Sequence, residues 1–124
     1  MSSTGAADSD IGGIFAAIDA KDSAAFVEFL TEDAVFRFGS APAVQGRDAI
    51  RVAVAGFFDT IAGLSHAITN TIAGDGTLVC EGEVTYERHD GSTVALPFAD
   101  IFAFDGALIS DYKIYMDIAP LYAD

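Results

Sequence analysis

A chain of 124 residues is long enough for one domain with a real core and too short for two. With 52% hydrophobic residues, ten Phe and no Trp, it is too apolar to be disordered and has apolar surface to spare for a lined cavity, an oligomer interface or both. A formal net charge of −13 repels phosphate backbones and anionic lipid, which argues against nucleic acid and membrane as partners and for a neutral, hydrophobic small-molecule ligand.

In chain order, residues 1–8 are small and polar and read as a flexible leader to a single domain over 9–124. The opening MSSTGAADSD lacks the basic and apolar regions of a signal peptide, and no apolar run is long enough to span a bilayer, so a cytoplasmic location is expected. Asp8 or Ser9 can cap a first helix whose Ile11, Ile14, Phe15 and Ile18 share one face. Asp22 reads as the N-cap of a second helix carrying Phe26, Val27 and Leu30. A first strand follows at AVFRF, Ala34 to Phe38. A third helix is expected from about Arg47 to Ile61, striped by Ile50, Val54, Phe57, Phe58 and Ile61.

From Leu64 the apolar period changes from 3.6 to 2. Turn signals at Gly74-Asp75-Gly76, Asp90-Gly91 and Asp105-Gly106 divide the remainder into strands near 64–73, 77–88, 93–104 and 107–118. Strands this long favour a bent sheet. Helices first and a meander afterwards predict an α+β domain in which a curved, mostly antiparallel sheet packs against three helices.

This order of elements, with EDAVFRF after two helices, VQGRDAI opening the third and DGALISDYKIYMDIAPL at the end, resembles the nuclear transport factor 2-like superfamily and within it the SnoaL-like group. The likeness covers nearly all of the chain after residue 10. It implies a cone of curved sheet closed by helices around a ligand pocket, and a homodimer through the outer sheet face. Ketosteroid isomerases, scytalone dehydratases and limonene epoxide hydrolases share this fold, so it does not by itself imply one activity.

Asp100 is the first candidate. Alternation places it with Leu96, Phe98, Phe102 and Phe104, where burial would keep a carboxyl neutral and able to donate a hydrogen bond to a substrate oxygen. By resemblance it falls where ketosteroid isomerases carry such an acid. His66 is the second, sharing a face with Leu64, Ile68, Asn70 and Ile72; it suits either a proton shuttle or a packed core histidine, and by resemblance lies where dehydratases of the superfamily place a catalytic histidine. Tyr86, Phe98, Phe102, Tyr112 and Met116 are expected to shape the pocket. Asp19 reads as part of a helix-to-helix corner, AIDAKD, although scytalone dehydratases carry a carboxylate near this position. His89 reads as a solvated hairpin tip.

The resemblance also implies absences. Ile14 and Phe38 stand where ketosteroid isomerases have their oxyanion tyrosine and their proton-abstracting aspartate, so both become pocket-wall candidates and the usual ketosteroid machinery is incomplete. Ile114 stands where limonene epoxide hydrolases have a catalytic aspartate. No cluster has metal-ligand spacing, no glycine-rich loop opens a helix, and the single Cys80 forms no internal disulfide framework, so no cofactor or metal is expected. Two functions remain: an acid/base isomerase, cyclase or dehydratase acting on a hydrophobic carbonyl compound, with Asp100 as acid and His66 as shuttle, or a non-catalytic binding or dimerisation module.

Overall fold

A computed structural model describes residues 2–123, with side chains described from Ile11 onward. Helix α1 spans Ser2–Asp19. Residues 2–8, expected as part of a leader, and Asp8 and Ser9, expected as caps, lie within this helix, and their side chains are outside the described residues. Ile11, Ile14, Phe15 and Ile18 are buried, as their helical spacing requires. The chain then turns through Lys21, a non-glycine residue with φ of 57°. Its ammonium donates to the Ile61 carbonyl at 2.8 Å, tying the corner to a residue 40 positions along the chain.

Helix α2, Ser23–Val27, starts where expected: the Asp22 carboxylate accepts the Ala25 N–H at 3.0 Å. It is shorter than its apolar spacing suggests, because Leu30 opens strand β1, Leu30–Phe38, instead of ending the helix. This strand also begins four residues ahead of AVFRF. Thr31, Glu32 and Asp33 give no alternating signal, since the pairing register shifts between Leu30 and Val35. The two-residue β2, Val44–Gln45, is too short to show any period. Helix α3, Arg47–Asp59, buries Ile50, Val54 and Phe58.

The meander comprises β3 Gly63–Gly74, β4 Thr77–Glu87, β5 Thr93–Asp105 and β6 Leu108–Tyr115. Here β6 stops before residue 118, and the short helix α4, Ala119–Tyr122, follows with a proline in its first turn, where the missing N–H costs nothing. The six strands order as β2-β1-β6-β5-β4-β3. Every pair is antiparallel except β1 with β6, which is parallel. The result is the expected α+β architecture, a curved sheet whose inner face is covered by helices.

Part of the curvature has a visible cause. β3 bulges between Ile68 and Asn70, and opposite the bulge sits Gly82. A Cβ there would lie 1.9 Å from the Ala67 carbonyl oxygen, so only glycine lets β3 fold this closely over β4. The core fills the space between α1, α3 and the inner sheet face, with Ile14, Leu30, Ile50, Ile61, Phe102 and Tyr112 fully buried.

Candidate functional site

Inside the cone lies an apolar cavity of about 270 Å³. Its walls come from α1 and α2 (Ile18, Phe26), β1 (Phe36, Phe38), α3 (Val54, Phe57, Phe58) and the meander (Leu64, His66, Tyr86, Tyr112, Ile114). Among the described residues no Lys, Arg, Asp or Glu lines it. Polar chemistry in the wall therefore rests on one imidazole and two phenol hydroxyls.

His66 projects from β3 just before the bulge, flanked by Phe15 and Phe98 with ring centroids 5.0 and 5.1 Å away. Asp19, the last residue of α1, holds it at two points. Its Oδ1 lies 2.6 Å from His66 Nδ1, and its Oδ2 accepts the His66 backbone N–H at 3.1 Å. Burial pushes the imidazole pKa below its usual 6.5, against the opposing pull of Asp19. Near neutral pH the contact is thus a neutral imidazole donating to a carboxylate rather than a full ion pair. An ionised carboxylate can only accept, so the hydrogen sits on Nδ1 and Nε2 keeps its lone pair. That is the tautomer a general base needs.

Asp100 is the sole acidic or basic residue among the fully buried side chains described, 1% exposed. It points inward from β5 with Leu96, Phe98 and Phe102, as alternation predicts; Phe104 is only half-buried, because a register shift after Ala103 breaks the pattern. Its Oδ2 accepts the Tyr112 hydroxyl at 2.9 Å, and its Oδ1 has no hydrogen-bond partner among the described residues. Burial pushes the carboxyl up from 3.8 to about 7, with the Tyr112 bond pulling the other way. Burial, and next the Asp100 charge, hold the Tyr112 phenol well above its usual value. The Tyr86 phenol is raised too, mainly by burial, and its hydroxyl lies 3.8 Å from the Met116 sulfur. Both phenols are neutral donors at ordinary pH.

The expected site residues thus separate into groups. His66, Tyr86, Tyr112 and Phe38 line the cavity. Asp100 stands behind the wall, in contact with Tyr112. Phe98 and Phe102 pack against the His66 and Tyr112 rings as supporting core, and Ile14 is fully buried in that core. Met116 lines a second, shallower depression that shares Phe38 and Phe57 with the cavity. His66 and Asp100 are not ladder partners: His66 aligns through Val84 with Leu96, four residues from Asp100 along β5, or roughly 13 Å of extended strand. His89 is exposed and contacts the Asp59 carbonyl at 2.9 Å. The residue that sequence reasoning undervalued is Asp19. Among the described residues no group of His, Cys, Asp and Glu is arranged to hold a metal ion, and no helix is long and apolar enough to cross a membrane.

Solved structures share this architecture at low identity. A proposed SnoaL-like polyketide cyclase from Jannaschia sp. CCS1 superposes with a TM-score of 0.84 at 15% identity, covering 94% of this chain and 89% of its own. TerC, co-crystallized with polyporic acid, gives 0.82 at 14% identity over 94% and 95%. A protein of ketosteroid isomerase-like fold from Catenulispora acidiphila, in complex with trimethylamine, gives 0.78 at 17% identity over 85% and 82%. No curated protein sequence matches significantly. The SnoaL-like domain model matches residues 11–112, which span the cavity walls, Asp19, His66, Asp100 and Tyr112, and the chain belongs to that family.

Proposed function

We propose that the protein is an acid/base enzyme that isomerises, cyclises or dehydrates a hydrophobic carbonyl compound, with His66 as the base. The observation that carries this reading is the Asp19–His66 pair at the wall of an apolar cavity: a neutral imidazole, fixed in one tautomer, facing a space that no charged side chain lines among the described residues. A buried imidazole held by a carboxylate is a common way to make a base effective near pH 7. In the proposed reaction Nε2 takes a proton from the carbon next to the carbonyl, and the C–H electrons move onto the carbonyl oxygen. A phenol hydroxyl of the wall donates to that oxygen as its charge grows. The imidazolium then returns the proton, to another carbon in an isomerisation or to a departing hydroxyl in a dehydration. The absence of Lys and Arg from the wall disfavours substrates with a fixed negative charge.

The test is hydrogen–deuterium exchange. Small cyclic enones and aryl ketones are incubated with the protein in D2O, and loss of their α-proton signals is followed by NMR. Exchange is expected for at least one ketone and is lost in His66→Gln. Ketones that bind but do not exchange would make the protein a non-catalytic binding module. We further infer a homodimer through the outer sheet face, where Tyr115 is exposed and pairs with Ala99, the outward neighbour of half-buried Ile101. Sedimentation equilibrium giving the monomer mass at micromolar concentration would remove that inference.

A further inference from the structure

We propose that Asp100 acts on the cavity only through Tyr112, whose hydroxyl is the group that meets the carbonyl oxygen. The proposal rests on the enzymatic reading above. Its observations are separate from that reading: Tyr112 lines the cavity whereas Asp100 does not, the two are joined by one 2.9 Å hydrogen bond, and the other Asp100 oxygen is buried without a partner among the described residues.

The contact follows from sheet geometry. Asp100 is in register with Ile114, so Tyr112 is its diagonal neighbour on β6, a distance that only a long side chain bridges. The Tyr112 ring is held in place by Phe102, Phe36 and Phe26, with centroids 4.3, 5.4 and 5.9 Å away. A ring packed on three sides cannot swing to a new partner. Its hydroxyl hydrogen can rotate, and that rotation is the device.

When Asp100 is ionised, its Oδ2 accepts the Tyr112 hydrogen and the hydroxyl has none left for a ligand. When Asp100 is protonated on Oδ2, it donates to the Tyr112 oxygen, and the Tyr112 hydrogen is released toward the cavity. In the full step the substrate C–H breaks and an N–H forms on His66. The Tyr112 O–H breaks as an O–H forms on the substrate oxygen, and Asp100 gives its own proton to Tyr112. Enol, imidazolium, neutral Tyr112 and ionised Asp100 result, so protons and charge balance. Tyr112 is then a catalytic residue and Asp100 a positioning and proton-supplying one. The titratable groups facing Asp100 are Tyr112 from β6 and its register neighbour Cys80 from β4, with Tyr86 further along that strand. On α1 the segment from Ile11 to Ile18 has none.

Acetophenone labelled with 13C at the carbonyl serves as the probe, because it accepts hydrogen bonds without titrating. Its bound carbonyl shift is read from about pH 6.5 to about pH 9, a range above the usual imidazole value and so above the lowered one. In the wild-type protein the carbonyl is expected downfield at the acid end, moving back upfield through a midpoint near the Asp100 value of about 7. Tyr112→Phe is expected to abolish the downfield position. Asp100→Asn, whose amide can donate to the Tyr112 oxygen, is expected to keep it at every pH and to lose the midpoint. A downfield shift that survives in Tyr112→Phe overturns the relay alone, leaving the His66 exchange assay intact. Should Tyr112→Phe not fold, the double variant Asp100→Asn/Tyr112→Phe, which removes the buried charge as well, replaces it. If acetophenone does not bind the wild-type protein, the carbonyl reading falls and the relay falls with it.

Discussion

Two carboxylates in this protein each hold one proton-bearing partner, and their settings differ. Asp19 sits at a helix end, its side chain 30% exposed, and both oxygens are engaged by His66. Asp100 is enclosed, with one oxygen bonded to Tyr112 and one bonded to nothing described. Water can share the charge of the first and cannot reach the second. The same chemical group therefore serves as a fixed anion in one place and as a proton reservoir in the other, and surroundings rather than residue type decide which.

Replacing His66 should sharpen that contrast most. His66→Gln is expected to lower α-proton exchange by about 10²- to 10⁴-fold while the fold persists, measured by NMR beside circular dichroism. Next is Asp100→Asn. The native carboxyl titrates near 7 and an unfolded one near 3.8, so the native state binds the proton more tightly. Stability conferred by protonated Asp100 is complete below 3.8, declines as pH rises toward 7, and is absent above it. Removing the ionisable group should flatten that decline and stabilise the protein at pH 8 by up to about 4 kcal/mol, read from urea unfolding at several pH values. An unchanged slope would show that Asp100 is not held in a dry site.

His66 runs with the opposite sign. Its native pKa lies below 6.5, so its contribution is present above 6.5 and is lost as pH falls through the native value. Asp19→Asn should then cost about 10- to 100-fold in exchange, with less change in stability, because an amide can present an N–H to Nδ1 and select the wrong tautomer. Equal activity in Asp19→Asn would erase the distinction between the two carboxylates. The smallest effect expected is from Tyr112→Phe on stability: about 1–2 kcal/mol lost above pH 7, where Asp100 is charged, and less at pH 5, where it is not.

Asp100 was legible in the sequence because period-2 alternation is a local rule, and its apolar neighbours lie within a few residues on either side. His66 was legible on the same grounds. Asp19 was not, since its partner is 47 positions away and AIDAKD also spells the corner that the structure contains, with Lys21 at positive φ. Tyr112 was visible as a pocket residue but not as the partner of Asp100, a contact set by the β5–β6 register. The curved α+β fold followed from turn signals and apolar periods. What escaped was short or irregular: the two residues of β2, the polar start of β1, and the switch from β6 to α4.

The parallel pairing of β1 with β6 bears on how the chain assembles. Residues 35–38 find their partners only at 111–114, so the sheet cannot be completed until β6 has been made. Phe36 and Phe38 on one side and Tyr112 and Ile114 on the other are cavity walls, so the site forms with that pairing. During synthesis an early intermediate would expose the β1 edge and the apolar wall behind it, and this is the stage at which aggregation competes with folding. Shortening the chain ahead of β6 is therefore expected to cost solubility before any question of catalysis arises.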